Sequence, residues 1–383
     1  MASENPVLQF TQSHSAALGT TLDALTADAL RSLYGHVYNI WRTFKPALGE
    51  ELGVKLYGNI WAELARISFA GAMAQLELDA VKDLPTLGKV VQKCFTGVPT
   101  LYVIKRNEPN EHVGHILWCA NPGYGPADKI YSRHDYYRKE IYLTYVYLWT
   151  VIEEAKKKGL EEDVVVDIPS GRCRDGACGA CQIILRTHNA DQDLHLPEVE
   201  NRYLEEEMGD EEPVAFVLKE QGRSFEEQGP ASFSGFFAVD FFAWSQLFNN
   251  DPATANEYYC QLWDRYREDW LNEAKLALEI GKVTSAQELA DIIAYCQKRR
   301  YIAFTCEAAD GGTVKLSAGA DPFVQVADMF AAPAEYKAAL VERDQRFMSA
   351  LISDLKLDGK AEDSILSHIA QGDATTVISV TLH

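Results

Sequence analysis

Residues 56–78 read LYGNIWAELARISFAGAMAQLEL, and residues 259–280 read YCQLWDRYREDWLNEAKLALEI. Laid over each other, Trp61 meets Trp263, Leu76 meets Leu278 and Glu77 meets Glu279. The match continues outward on both sides. Trp41 precedes Trp61 by 20 residues, and Trp244 precedes Trp263 by 19. LPTLGKVVQKC (84–94) lies over AQELADIIAYC (286–296), which sets Cys94 on Cys296. CANPGYGPAD (119–128) lies over GADPFVQVAD (319–328), Tyr136 over Tyr336 and Gly159 over Gly359. RDGACGACQIILRTH lies over the closing AQGDATTVISVTLH. One order of matches kept across both halves predicts that the chain is internally duplicated.

The repeat sets the expected organisation. Residues 1–25 form an N-terminal extension, 26–188 copy A, 189–230 an acidic connector and 231–383 copy B. The connector is rich in Glu, Gln, Gly and Pro, which predicts a surface excursion or a flexible linker. Each copy reads as helices around two tryptophans, a third helix, two strands (100–105 and 112–120; YIAFTCE and TVKLSA), a long helix (133–158 in copy A) and a closing β unit. Helices and antiparallel hairpins in that order predict an α+β fold, with the copies packed as an internal pseudo-dimer.

The 383 residues carry a net charge of -20 and are 47% apolar, enough for two or three domains with real cores. An acidic surface argues against nucleic acid and anionic membranes, both of which need a basic face. The start, MASENPVLQFTQSHSAALGTTLDALT, lacks a basic n-region and an apolar h-region, and IYLTYVYLWTVI (141–152) is too short to span a bilayer. The expectation is a cytoplasmic protein acting on a small molecule, with a homo-oligomer left open.

The two copies differ where chemistry is at stake. Cys119 faces Gly319, His115 faces Lys315, His112 faces Gly312 and His134 faces Ala334. Cys173, Cys178 and Cys181 have no thiol counterparts in the closing stretch. The functional site is therefore expected in copy A, with copy B a degenerate structural repeat. Cys94 and Cys296, kept in both, read as buried structural thiols.

On a strand His115, Leu117 and Cys119 share one side. Cys119 as nucleophile and His115 as its neighbour stand against a buried Cys and a solvent-facing His. The NPGYGP loop that follows, with Asn121, Gly123 and Tyr124, can bring backbone close to a ligand. Tyr142, Tyr145 and Trp149 recur at helical spacing, either as a pocket wall for a planar ligand or as ordinary core.

GRCRDGACGACQI (171–183) holds Cys173, Cys178 and Cys181 in a C-x4-C-x2-C run. With Cys119 as a fourth ligand, that set suits zinc or an iron–sulfur cluster. CRDGACGAC resembles the cluster loop of plant-type [2Fe–2S] ferredoxins, but the next cysteine is Cys260, within a helical stretch. CANPGYGPAD and GACGACQIIL together resemble the L-2-amino-thiazoline-4-carboxylate hydrolase-like family. The closing hairpin is also similar to that of 4-vinyl-reductase sensor domains, whose two zinc-ligating cysteines are eight residues apart, as Cys173 and Cys181 are here. Ser170 stands where those sensors place an acid, and Cys178 is an extra thiol.

The resemblance implies hydrolytic ring opening of a small cyclic substrate in copy A. A Cys119 thiolate or a metal-bound water would be the nucleophile, His115 or His134 the acid–base group, and Asp135 and Tyr124 second-line candidates. The alternatives are a small-ligand sensor with a structural zinc clip, and an iron–sulfur redox protein.

Overall fold

The computed structural model describes residues 6–97, 99–119, 133–169, 181–187, 207–309 and 312–383. Two four-stranded antiparallel sheets and long helices make it an α+β protein. The chain divides into two compact units: Met1–Thr21 with Asn39–Leu56 and Phe237–His383, and Leu22–Tyr38 with Tyr57–Phe236.

Helices α1 (Pro6–Leu18), α2 (Leu22–Leu48), α3 (Glu50–Gln75) and α4 (Leu84–Gly97) come first. The hairpin β1 (Thr100–Glu108) and β2 (Glu111–Cys119) follows, then α5 (Arg133–Lys157), β3 (Val164–Asp167) and β4 (Cys181–Thr187). The sheet order is β1-β2-β4-β3. Asp83 caps α4 by accepting from the Thr86 N–H at 2.8 Å, and Pro85 sits in the first turn, where a missing N–H costs nothing.

One face of this sheet is closed by helices. Phe69, Ala72 and Met73 of α3, Leu87, Val90 and Val91 of α4, and Leu148, Val151 and Ile152 of α5 meet Tyr102, Ile116, Ile183 and Leu185. The helical residues recur every three or four positions and the strand residues every second one, as a helix-on-sheet core demands. Tyr102 needs Gly114 beneath it, because a Cβ there would overlap the phenol. That packing sends the Tyr102 hydroxyl to His112 Nε2 at 2.8 Å, while Asn107 Oδ1 lies 2.9 Å from Nδ1. Glu111, buried at the hairpin end, pairs with Arg106 and with Arg186 Nε at 3.0 Å.

The later part of the expected connector is built into this unit. Its apolar PVAFVL run forms α6 (Pro213–Glu220) and buries Val214, Phe216, Val217 and Leu218. Gln221 donates to the Thr100 carbonyl at 2.7 Å, Arg223 to that of Thr96, and Gln228 to that of Gly97 at 2.9 Å. Those apolar residues offset the entropy that a polar linker would keep.

The other unit holds most of α7 (Phe225–Asn250), then α8 (Ala255–Ala277), α9 (Ala286–Lys298), the hairpin β5 (Thr305–Ala309) and β6 (Thr313–Ala318), α10 (Pro322–Met329), α11 (Ala334–Asp354), β7 (Ala361–Ser367) and β8 (Thr376–Leu382). Its sheet order is β5-β6-β8-β7. The strand expected in YIAFTCE begins only at Thr305, because Tyr301 takes a left-handed φ of 64° that interrupts extended backbone. Ser285 and Glu288 cap α9 reciprocally. Among the described residues, no helix is long and apolar enough to cross a membrane.

Candidate functional site

Two of the sequence-derived cysteines stand at one end of the first sheet. Cys119 closes β2 and pairs with Thr100 of β1. Cys181 opens β4 and pairs with Ile116. Segments 120–132 and 170–180 therefore both attach at this end, and α5 begins at Arg133 immediately after the first of them. Asn121, Gly123, Tyr124, Cys173 and Cys178 lie outside the described residues. His134 and Asp135 fall in the first turn of α5.

The register places the two described cysteines. Cys181 is level with Ile116 and packs, half-buried, against the helix-covered core. The alternation expected through His115, Leu117 and Cys119 does not hold: Leu101 pairs with Trp118 but Tyr102 with Ile116, so β2 carries an extra residue at Leu117, and Cys119 comes level with Thr100, on the same face of the sheet as Tyr102 and its partner Ile116. Four residues of strand, about 13 Å at ~3.3 Å each, separate His115 from Cys119, which is beyond hydrogen-bond reach. His115 is fully buried, and its Nε2 accepts from the Gln182 amide at 3.2 Å. His112, the other strand histidine, is also buried, and burial lowers its pKa to about 4.

The aromatic face of α5 turns outward. Trp149 is 52% exposed and Tyr142 37%. Tyr145 is half-buried, with its ring 5.3 Å from that of Trp149. Tyr142 lies over Gly58 of α3, where an added Cβ would stand 2.8 Å from its hydroxyl. The aligned pair Cys94 and Cys296 is buried, and burial pushes each thiol up to about 12. Neither is a nucleophile at neutral pH.

A dense ionisable cluster lies instead in the second half of the chain, where none was expected. Asp344 accepts from Arg300, from Arg343 Nε at 2.9 Å and from His368 Nε2 at 3.2 Å. Asp240 accepts from Tyr259 at 2.5 Å, Tyr336 at 2.9 Å and Trp263 Nε1 at 3.1 Å. Arg343 Nη1 links the two carboxylates by donating to the Tyr259 hydroxyl at 3.2 Å. The Arg343 guanidinium lies 4.2 Å from the Phe323 ring and that of Arg300 4.9 Å from Trp263.

All these side chains are buried. Burial works against ionisation of Asp344, but Arg300 and Arg343 override it and hold the carboxyl well below the usual range. Asp321 goes the other way: burial, outweighing the attraction of Arg343, raises its carboxyl, which caps α10 through the Phe323 N–H at 2.9 Å.

Asp321, Asp344 and His368 present ligand atoms within 4.8 Å of one another, a spacing that a metal ion could use. Their donors are already committed, however. His368 Nδ1 accepts from the Ala370 N–H at 3.0 Å, so Nε2 carries the proton given to Asp344. Asp344 in turn holds two guanidiniums. A cation would have to break these bonds, so the cluster is a structural network. The sequence carried one sign of it: Arg343 falls on the stripe Tyr336, Leu340, Phe347 and Leu351 of α11, where a charge must be buried.

No protein-family model, curated protein or solved structure matches this chain. The site must therefore be read from its own chemistry.

Proposed function

We propose that the protein is a small-molecule enzyme that opens a small cyclic substrate hydrolytically at the closing end of the first sheet, with Cys119 as nucleophile. The observation that carries this reading is the strand register. It sets Cys119, at the close of β2, and Cys181, at the start of β4, at one sheet end, where the two segments that carry the other candidate residues attach. The thiolate adds to the electrophilic ring carbon, the ring C–N, C–S or C–O bond breaks, and the departing heteroatom takes a proton. Water then hydrolyses the acyl-thiol intermediate and restores the thiol. His134, in the first turn of α5, is the acid–base group of this scheme. His115, about 13 Å along the strand, orients the scaffold through Gln182. The exposed Tyr142 and Trp149 form the wall for a planar ring.

The same reading takes the chain as a tandem duplication forming a pseudo-dimer, acting in the cytoplasm on a small molecule. Several observations support the duplication. The two sheets share one strand order. The aligned pair Glu77 and Glu279 have φ of 53° and 57°, and each ends its helix with the same hydrogen bond, Leu78 to Met73 and Ile280 to Lys275, both 2.9 Å. Gly159 and Gly359 also share positive φ, 103° and 71°. Left-handed glutamates are uncommon, so a matched pair at matched helix ends is an informative coincidence.

The test is turnover of a panel of thiazolines, lactams and lactones by the wild type and by Cys119→Ala, with and without a chelator. The expected result is turnover that Cys119→Ala abolishes and the chelator leaves unchanged. Equal turnover by wild type and variant would overturn the assignment.

A further inference from the structure

An open pocket of ≈ 290 Å³ lies in the unit that holds the second sheet, on one side of α9. Its walls are apolar, from Leu18, Leu278, Ala294 and Phe304. Opposite charges line it along α9: Asp291 and, two turns further on, Lys298, with the half-buried Tyr295 between them in sequence. Asp291 Oδ1 is held by Gln287 Nε2 at 2.8 Å, which fixes the carboxylate and leaves its other oxygen. Lys298 and the Tyr295 hydroxyl make no hydrogen bond or ion pair with the described residues.

The spacing of these charges selects a ligand. Asp291 and Lys298 are seven residues apart on α9, which is two turns on one face and about 10 Å of axial rise. A charged partner at each end takes up about 2.8 Å. With both side chains standing straight out from α9, the ligand's own charges are about 5 Å apart, its ammonium at Asp291 and its carboxylate at Lys298. An α-amino acid is too short for this. A dipeptide zwitterion fits, with an apolar side chain against Leu18, Ala294 and Phe304.

We infer that the pocket between Asp291 and Lys298 binds a small zwitterion of dipeptide length, such as a dipeptide with an apolar C-terminal residue. The site is separate from Cys119 and does not depend on the catalytic reading.

A nearby thiol serves as a reporter. Cys306 of β5 is exposed and close enough to Asp291 to feel its charge, burial and that charge together raising its pKa.

The experiment uses the full-length protein and alanyl-leucine, read by backbone NMR shifts of α9 and by the rate of iodoacetamide labelling at Cys306. N-acetyl-alanyl-leucine, alanyl-leucine amide and free leucine are the controls. Wild type should bind alanyl-leucine saturably, at least tenfold more tightly than any control, with slower labelling of Cys306. Asp291→Asn should lose discrimination against the acetylated peptide only, and Lys298→Met against the amide only. Because the two variants have different expected signatures, general damage to the fold would not reproduce them. Absence of saturable shifts with alanyl-leucine, or equal binding of the blocked peptides by wild type, would overturn the proposal.

Discussion

Lowering the pH should weaken the first unit through one histidine. His112 is buried and held between Tyr102 and Asn107, and burial lowers its pKa from 6.5 to about 4. A depressed histidine pKa means that the unfolded chain binds the proton more readily than the folded one. The contribution to stability is therefore complete above pH 6.5 and declines as the pH falls towards 4. The shift of about 2.5 units, at ~1.4 kcal/mol each, corresponds to a loss of about 3 kcal/mol by pH 4. That is a large part of the ~5–15 kcal/mol by which domains are stable.

Urea unfolding at steps between pH 4 and 7.5, on wild type and on His112→Gln, isolates the effect. The many carboxylates titrate in both proteins, so their contribution cancels in the difference. The wild-type curve should fall more steeply below pH 6.5, by up to ~1.4 kcal/mol per pH unit. Parallel curves, or an NMR titration of His112 centred near 6.5, would refute the reasoning.

The remaining predictions concern packing, the buried network and the thiols. Gly114→Ala should lower the melting temperature at a cost of about 1–3 kcal/mol or more, because its Cβ would overlap the Tyr102 phenol; calorimetry reads the shift. Asp344→Ala leaves Arg300, Arg343 and His368 buried without their acceptor and should cost about 3–5 kcal/mol by urea unfolding. Peptide-mapped alkylation at pH 8 should mark Cys306 well before Cys94, Cys260 and Cys296, whose thiols burial pushes up to about 12.

Much of the architecture was legible because periodicity reports burial directly. The β-rich run HVGHILWC and the Tyr142–Trp149 spacing agree with β2 and α5, although the extra residue at Leu117 broke the alternation that was to carry His115 and Cys119 to one side. The connector misled because its acidic composition dominates PVAFVL, six residues whose apolar character only tertiary packing makes decisive. The buried network was hidden for a different reason. Asp240, Asp321, Arg300, Asp344 and His368 come from separate elements, and no spacing along a chain reveals that they meet. The comparison of the two halves drew attention to unmatched cysteines, while the second half kept its ionisable groups inside. His115 looked solvent-facing or catalytic by type, and only the sheet shows it sealed against Gln182.

The most direct test of a reactive thiol at Cys119 is the site of covalent capture. Native protein is treated with a substoichiometric β-lactone, whose strained ring acylates a thiolate on opening, and the adduct is mapped by mass spectrometry. The account predicts one adduct per chain, on Cys119, lost in Cys119→Ala. An adduct on Cys306 with Cys119 unmodified would contradict it.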